Sequence, residues 1–321
     1  MHKVWDQYPE IKQELEAVVC LMDEQARCKD KVIENSIKEL VHTSGKMLRP
    51  GFSIIASKFG KFEAEKTRVM AAVIEFFHMA TLVHDDVIDD SKLRRGKETI
   101  QSKYGKEYAV YIGDYLFCIC FKLLAQTASL HSIQVDSRAM SRICMGEVEQ
   151  LNSRFDQAAT VKDYLKRISG KTAELFALSL YMGAAESECE KRTSRLFWNI
   201  GYNIGMAFQI IDDVLDYTSS DETLGKESNH DVKEGIYTLP LIYALEKKPK
   251  ELVEILNKET YTDADVEKVK EIVAAYDGVE KARQLAKKFT NKAFKLMEKL
   301  PENEYRAMLQ EITRLMLVRE Y

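Results

Sequence analysis

The chain has 321 residues, with 47 Lys and Arg against 51 Asp and Glu, for a net charge of −4. That near balance removes the electrostatic reason to expect nucleic acid or an anionic membrane surface as a partner, and a hydrophobic share of 45% is enough to fill a large core. The six cysteines, at 20, 28, 118, 120, 144 and 189, include no CxxC pair and no dense framework, which excludes a disulfide scaffold and reads as reduced thiols.

The opening Met-His-Lys-Val-Trp-Asp-Gln has no apolar stretch of signal-peptide length, and no apolar run reaches the ~18–20 residues of a membrane span. A cytoplasmic protein without a transmembrane segment is therefore expected. None of the five prolines falls between Pro50 and Pro240, and that stretch has little of the turn chemistry that hairpins need, so it predicts helices. Gly45-Lys46-Met47-Leu48-Arg49-Pro50 places two cations three residues apart, one helical turn, just ahead of an apolar helix. Gly60-Lys61-Phe62-Glu63 predicts a break. Val69, Ala72, Val73, Phe76, Phe77 and Ala80 then recur at three- and four-residue spacing, the mark of a buried helical stem.

That stem runs into Asp85-Asp86-Val87-Ile88-Asp89, with Arg94-Arg95-Gly96 shortly beyond. A second stem, Leu196, Ile200, Ile204, Phe208 and Ile211, runs into Asp212-Asp213-Val214-Leu215-Asp216 and then a polar loop, 219–230. Beyond Pro249 the chain is charged and predicts peripheral helices. The whole pattern predicts an all-α fold: a single large helical bundle spanning 1–321, built around a central apolar cavity.

In each cluster the first and last carboxylates are four residues apart, one turn apart on one helical face. Acids at a helix C-terminus oppose the macrodipole by roughly 0.3–1 kcal/mol, and three like charges together need a cation to share them. Mg²⁺ suits the donors, because it prefers oxygen and bridges carboxylates to phosphates. Asp85, Asp86, Asp89, Asp212, Asp213 and Asp216 are thus the candidate metal residues. Lys46, Arg49, Arg94, Arg95, Lys171 and Lys226 form a candidate anion-binding set, since Arg matches phosphate oxygens bidentately and Lys acts as a point charge. His78 lies two turns before Asp85 on the same face and joins them as a candidate phosphate contact.

With GKMLRP, HDDVIDD, RRG, GDYL at Gly113–Leu116, GEVEQ at Gly146–Gln150, KTAEL from Lys171, FQIIDDVLD and a late TLP at Thr238–Pro240 in this order, the chain resembles the trans-isoprenyl (polyprenyl) diphosphate synthases. The likeness runs from about Gly45 to Pro240 and is nearest to bacterial medium- and long-chain enzymes, such as the catalytic component of heptaprenyl or hexaprenyl diphosphate synthases. It implies an isoprenoid-synthase fold and a prenyltransferase that condenses isopentenyl diphosphate with an allylic diphosphate. It further implies three Mg²⁺ ions on the aspartates, with Asp85, Asp86, Asp89, Lys171, Asp212 and Asp213 catalytic. Arg94, Lys171 and Lys226 would face the allylic diphosphate, while Lys46, Arg49, His78 and Arg95 would hold isopentenyl diphosphate. Thr172 and Gln209 would lend polar groups to the carbocation or the diphosphate. Where many relatives read Gly-Lys-x-Thr, this chain has Gly235-Ile236-Tyr237-Thr238, which removes one lysine and reads as a subtype mark.

Product length is expected on the first stem. Ala80 and Thr81, five and four residues before Asp85, are small where bulky aromatics stop growth in short-chain relatives. Phe77, about 12 Å from Asp85 along the helix, and Phe117 and Phe121 on the helix after Gly113 are candidates for a floor. A product longer than C20, in the range C30–C40, is the expectation. Three rivals remain: a class I terpene cyclase or squalene-synthase-like enzyme, a non-catalytic partner of a true synthase, and a catalytic subunit active only with a small regulatory partner. A homodimer or such a heteromer is the expected assembly.

Overall fold

Apolar residues at helical spacing, with proline confined to the starts of helices and the links between them, fold the chain almost entirely into helix. The computed structural model describes residues 2–43, 45–94, 96–218 and 230–317. Pro9 opens its helix, Pro50 and Pro240 lie in first turns, and Pro249 is an N-cap, all positions where a missing N–H costs nothing. The all-α expectation holds: among the described residues the extended elements are β1 (Leu93–Arg94) and β2 (Lys97–Glu98), paired antiparallel.

Two compact units divide the chain. The first comprises Met1–Arg138, Leu175–Trp198 and Leu300–Ile312. It contains α1 (Pro9–Gln25), α2 (Lys31–Thr43), α3 (Leu48–Ser57), α4 (Ala64–Ile88), α5 (Ile100–Tyr104) and α6 (Lys106–Thr127). Helix α4 is its axis, packed by α1, α3, α5 and α6. It buries every residue from Met70 to Phe77 because its neighbours surround it, so all but Glu75 are apolar there and the burial is not confined to one stripe.

Among the described residues one helix, α6, is long and apolar enough to cross a membrane, where the sequence expectation allowed none. Its face of Ala109, Ile112, Leu116, Ile119 and Leu123 is buried in this unit, while Tyr108, Val110, Tyr111 and Phe121 are exposed on the other.

The second unit comprises Ala139–Glu174, Asn199–Lys299 and Thr313–Tyr321. It holds the later part of α7 (Leu130–Asn152), α8 (Val161–Ile168), a wide π-type turn at Ser169–Ala173, and most of α10 (Lys191–Thr218), which begins in the first unit as α9 (Glu174–Glu186) ends there. Then come α11 (His230–Lys233), α12 (Leu239–Leu245), α13 (Lys250–Leu256), α14 (Asp263–Ala275) and α15 (Gly278–Met297), while α16 (Glu304–Leu317) belongs to the first unit as far as Ile312. The second unit's core joins Tyr164, Ile168, Ile210 and Val214 to Leu241, Val273 and Ala282. The helices beyond Pro249 thus carry part of a core, although their outer faces are charged.

Candidate active site

The first acidic cluster stands where α4 stops. Asp89 is the C-cap, its N–H donating to the Asp85 carbonyl at 2.9 Å, and Asp90 follows in the left-handed conformation that Asp tolerates at φ 49°. That turn leads into the β1–β2 hairpin, which returns Arg94 to the helix end. Arg94 Nε and Nη2 both donate to Asp86 Oδ1 at 2.8 Å, and Asp86 is buried at 6% exposure. Asp85 and Asp89 are part-exposed, and Asp90 pairs with Lys106 at 2.8 Å, which lowers its carboxyl. Arg94 and Lys106 are thus among the cations that offset this acid-rich helix end.

Below the cluster the stem carries the predicted small residues. Ala80 is fully buried, and Thr81 turns its hydroxyl back to the His78 carbonyl at 2.8 Å; His78 itself is part-exposed. Phe77 meets Phe117 edge-on, centroids 5.5 Å apart, and Phe117 leans on His84 at 5.6 Å. Phe121 does not join them. It lies ~40° further round α6 than Phe117, past the buried face, and is 52% exposed.

Lys46 and Arg49 are not on one helical turn as expected. Met47 adopts φ 51°, α3 begins only at Leu48, and the Lys46 carbonyl accepts from Trp5 Nε1 at 2.7 Å. Arg49 sits in the first turn of α3 with its guanidinium 4.4 Å from the Phe176 ring centroid. Arg95 and Lys226 lie outside the described residues.

The second cluster lies within α10, one turn short of its end. Asp212 is exposed, Asp216 part-exposed and Asp213 buried at 4%. Tyr164 on α8 donates its hydroxyl to Asp213 Oδ2 at 2.7 Å, and the Gln209 amide donates to Oδ1 at 2.7 Å. Gln209 Oε1 in turn accepts from the Thr172 hydroxyl at 2.7 Å. Burial pushes the Asp213 carboxyl well above the usual carboxylate range, with nearby Asp231 adding to the rise and the two hydrogen bonds opposing it.

Thr172 and Lys171 ride on the π-type turn, whose extra residue re-aims the chain between α8 and α9. The turn lies against α7 at a glycine pair. A Cβ on Gly146 would come within 2.7 Å of the Lys171 backbone nitrogen, so no larger residue fits. Glu147, beside that glycine, holds Lys171 Nζ at 2.7 Å. At the lysine-poor Gly235–Thr238 segment, Gly235 has φ 73° with the Phe155 ring where its Cβ would be, and Arg167 donates to the Tyr237 carbonyl at 2.7 Å.

Sequence reasoning missed Tyr164, Arg167 and Glu147. Glu147 had a signal in GEVEQ; a lone tyrosine and arginine on a short amphipathic helix had none.

Among the described residues no three His, Cys, Asp or Glu side chains form a ready-made ion site. The donors still suit Mg²⁺. Asp85 with Asp89, and Asp212 with Asp216, are oxygen-only pairs one turn apart and open to water, and Mg²⁺ takes one or two carboxylates while keeping waters or phosphates. Asp86 and Asp213 are committed to Arg94, and to Tyr164 and Gln209, which suits them to support the pairs.

Residues 30–275 match the family model described as polyprenyl synthetase. The heptaprenyl diphosphate synthase component 2 of Geobacillus stearothermophilus is 37% identical over 88% of each chain. The geranylgeranyl pyrophosphate synthase of Lactobacillus brevis superposes with a TM-score of 0.93 at 37% identity, covering 99% of both chains. A Caulobacter crescentus polyprenyl synthase, solved with calcium and isoprenyl diphosphate, gives 0.91 at 32% identity over 96% of this chain and 95% of its own.

Proposed function

The chain belongs to the polyprenyl synthetase family and is a prenyltransferase, and from that premise we propose that it is a Mg²⁺-dependent synthase adding isopentenyl diphosphate to an allylic diphosphate primer, with a product of C30–C40. The observation that carries this reading is the pair of helix-borne acidic clusters, each with one carboxylate fixed by protein partners and two facing water one turn apart.

In this proposal Asp85, Asp89, Asp212 and Asp216 hold Mg²⁺, which supplies positive charge against the charge growing on the departing diphosphate. Asp86 and Asp213 fix the geometry of their helix ends. Lys171, aimed by the π-type turn and held by Glu147, presents its ammonium to the allylic diphosphate, alongside Arg94 and Lys226. Lys46, Arg49, His78 and Arg95 bind the diphosphate of isopentenyl diphosphate. The double bond of that substrate attacks the allylic carbon, the C–O bond to diphosphate breaks, and the proton lost afterwards goes to the released diphosphate. No protein base is required. Thr172 and Gln209 place their polar groups beside the reacting carbon.

Small Ala80 and Thr81 let the growing tail pass, and the Phe77–Phe117 pair, about 12 Å along the stem from Asp85, is the next narrowing that a C30–C40 tail has to pass. The relatives include both a geranylgeranyl and a heptaprenyl enzyme, so resemblance alone does not choose the length. The purified chain is incubated with Mg²⁺, isopentenyl diphosphate and farnesyl diphosphate, and the dephosphorylated product is chromatographed. A C30–C40 species is expected; a main product of C20 or shorter sinks the length proposal. Consumption of the allylic diphosphate without isopentenyl diphosphate would instead identify a cyclase.

A second reading is favoured by two relatives that are named component 2 of a heptaprenyl diphosphate synthase: this chain is the catalytic subunit of a heteromer with a small partner. Robust turnover by the chain alone, as a homodimer, rules that reading out.

A further inference from the structure

We propose that Tyr164 is a positioning residue for the second acidic cluster, its hydroxyl fixing Asp213 so that Gln209 and Thr172 keep one orientation and the turn bearing Lys171 stays seated on α10. The inference rests on the synthase reading above.

Three consecutive hydrogen bonds of 2.7 Å link Tyr164, Asp213, Gln209 and Thr172. Asp213 Oδ1 accepts from the Gln209 NH₂, which leaves the Gln209 Oε1 to accept from the Thr172 hydroxyl. The torsion at the end of an aspartate side chain is soft, and Tyr164 is the donor that holds its other oxygen. Without that hydroxyl the carboxylate can turn, the Gln209 amide loses its reason to face one way, and Thr172 loses its anchor. Lys171 is the next residue on the same turn, so its aim depends on the chain's far end.

The phenol is itself braced. Tyr164 is 1% exposed, and Arg167, one turn on, lies with its guanidinium 5.5 Å from the ring centroid while donating to the Tyr237 carbonyl. The short helix α8 thus ties the second cluster to the turn ahead of Thr238.

The test uses the full chain as wild type, Tyr164→Phe, Gln209→Leu, the double variant and Thr172→Val. Two readouts are taken: steady-state condensation of isopentenyl and farnesyl diphosphates, and the rise in melting temperature on adding Mg²⁺ with inorganic pyrophosphate. Tyr164→Phe should lower kcat about 10- to 100-fold with KM for isopentenyl diphosphate within about twofold, and should at least halve the melting shift. The double variant should be no slower than the slower single variant, because residues acting as one chain are not additive. Thr172→Val, which breaks the other end without touching α8, should reproduce the kcat loss and covers the case of a Tyr164 variant that does not fold. A kcat within twofold of wild type, multiplying effects, or an undiminished melting shift overturns the inference. A wild type that melts higher with Mg²⁺ and pyrophosphate but by itself makes no product favours the partner-dependent subunit, and the melting shift alone then judges Tyr164; consumption of the allylic diphosphate without isopentenyl diphosphate refutes the synthase reading.

Discussion

The two acidic clusters share one pattern, yet the protein holds them by different chemistry. In the first, the middle carboxylate, Asp86, is gripped by a cation, Arg94, at the edge of the fold and about a third exposed at 31%. In the second, the corresponding Asp213 is fully enclosed and capped on both oxygens by neutral donors, Tyr164 and Gln209. Both carboxylates are buried, but Asp86 is met by an arginine that itself stays part-exposed, whereas Asp213, inside a long helix, is satisfied by neutral donors from the core. The same motif is therefore an electrostatic device in one place and a packing device in the other.

That contrast applies to the middle carboxylates and should vanish for the outer ones. Asp85→Ala and Asp212→Ala should each lower condensation about 10²- to 10³-fold while leaving the melting temperature nearly unchanged. A loss in only one of them, measured by labelled isopentenyl diphosphate incorporation, would mean that one cluster is ornamental. The middle pair should differ in stability. Asp213→Ala leaves a buried hydroxyl and amide without an acceptor and should cost about 3 kcal/mol in urea unfolding, whereas Asp86→Ala frees an arginine that rehydrates and should cost under about 1 kcal/mol. Equal costs would erase the distinction.

Packing around the second cluster gives a smaller effect. Gly235→Ala forces a side chain into positive φ and against the Phe155 ring, 2.6 Å from the added Cβ, and should destabilise by about 1–3 kcal/mol. Tolerance of alanine there would show that the Phe155 strap is loose.

Asp136 on α7 shows what a buried carboxylate is without caps. Its Oδ1 has no hydrogen-bond partner, and burial pushes its carboxyl up to about 7 from 3.8. Between those values the folded chain keeps a proton that the unfolded chain has released, so this group lowers stability as pH rises through that window. Asp136→Asn should therefore gain about 1–2 kcal/mol over wild type at pH 8 and lose that advantage near pH 4. A gain independent of pH, in melts across that range, would show that its charge is not what costs stability.

Much of this was legible in the residues. Helical spacing and proline placement gave the all-α class, and paired acids four apart gave the clusters, because both are local properties that 3.6 residues per turn converts directly into faces. Phe77, Phe117 and Phe121 were all readable as aromatics near the first stem, but that the first two meet edge-on while Phe121 is exposed depends on which face of α6 is buried. The left-handed Met47 that removes Lys46 from the helix, and the hairpin that turns Arg94 onto Asp86, depend on chain reversals that no periodicity reports.

Sequence alone thus determined which side chains can do chemistry and on which helices they ride, since those follow from neighbours a few residues away. Tertiary structure alone decided which of two identical aspartates is charge-paired and which is capped: Tyr164 lies 49 residues from Asp213 and Thr172 lies 37 from Gln209. Partners that distant are brought together only by burial of the helices that carry them, a long-range effect that leaves no spacing in the sequence.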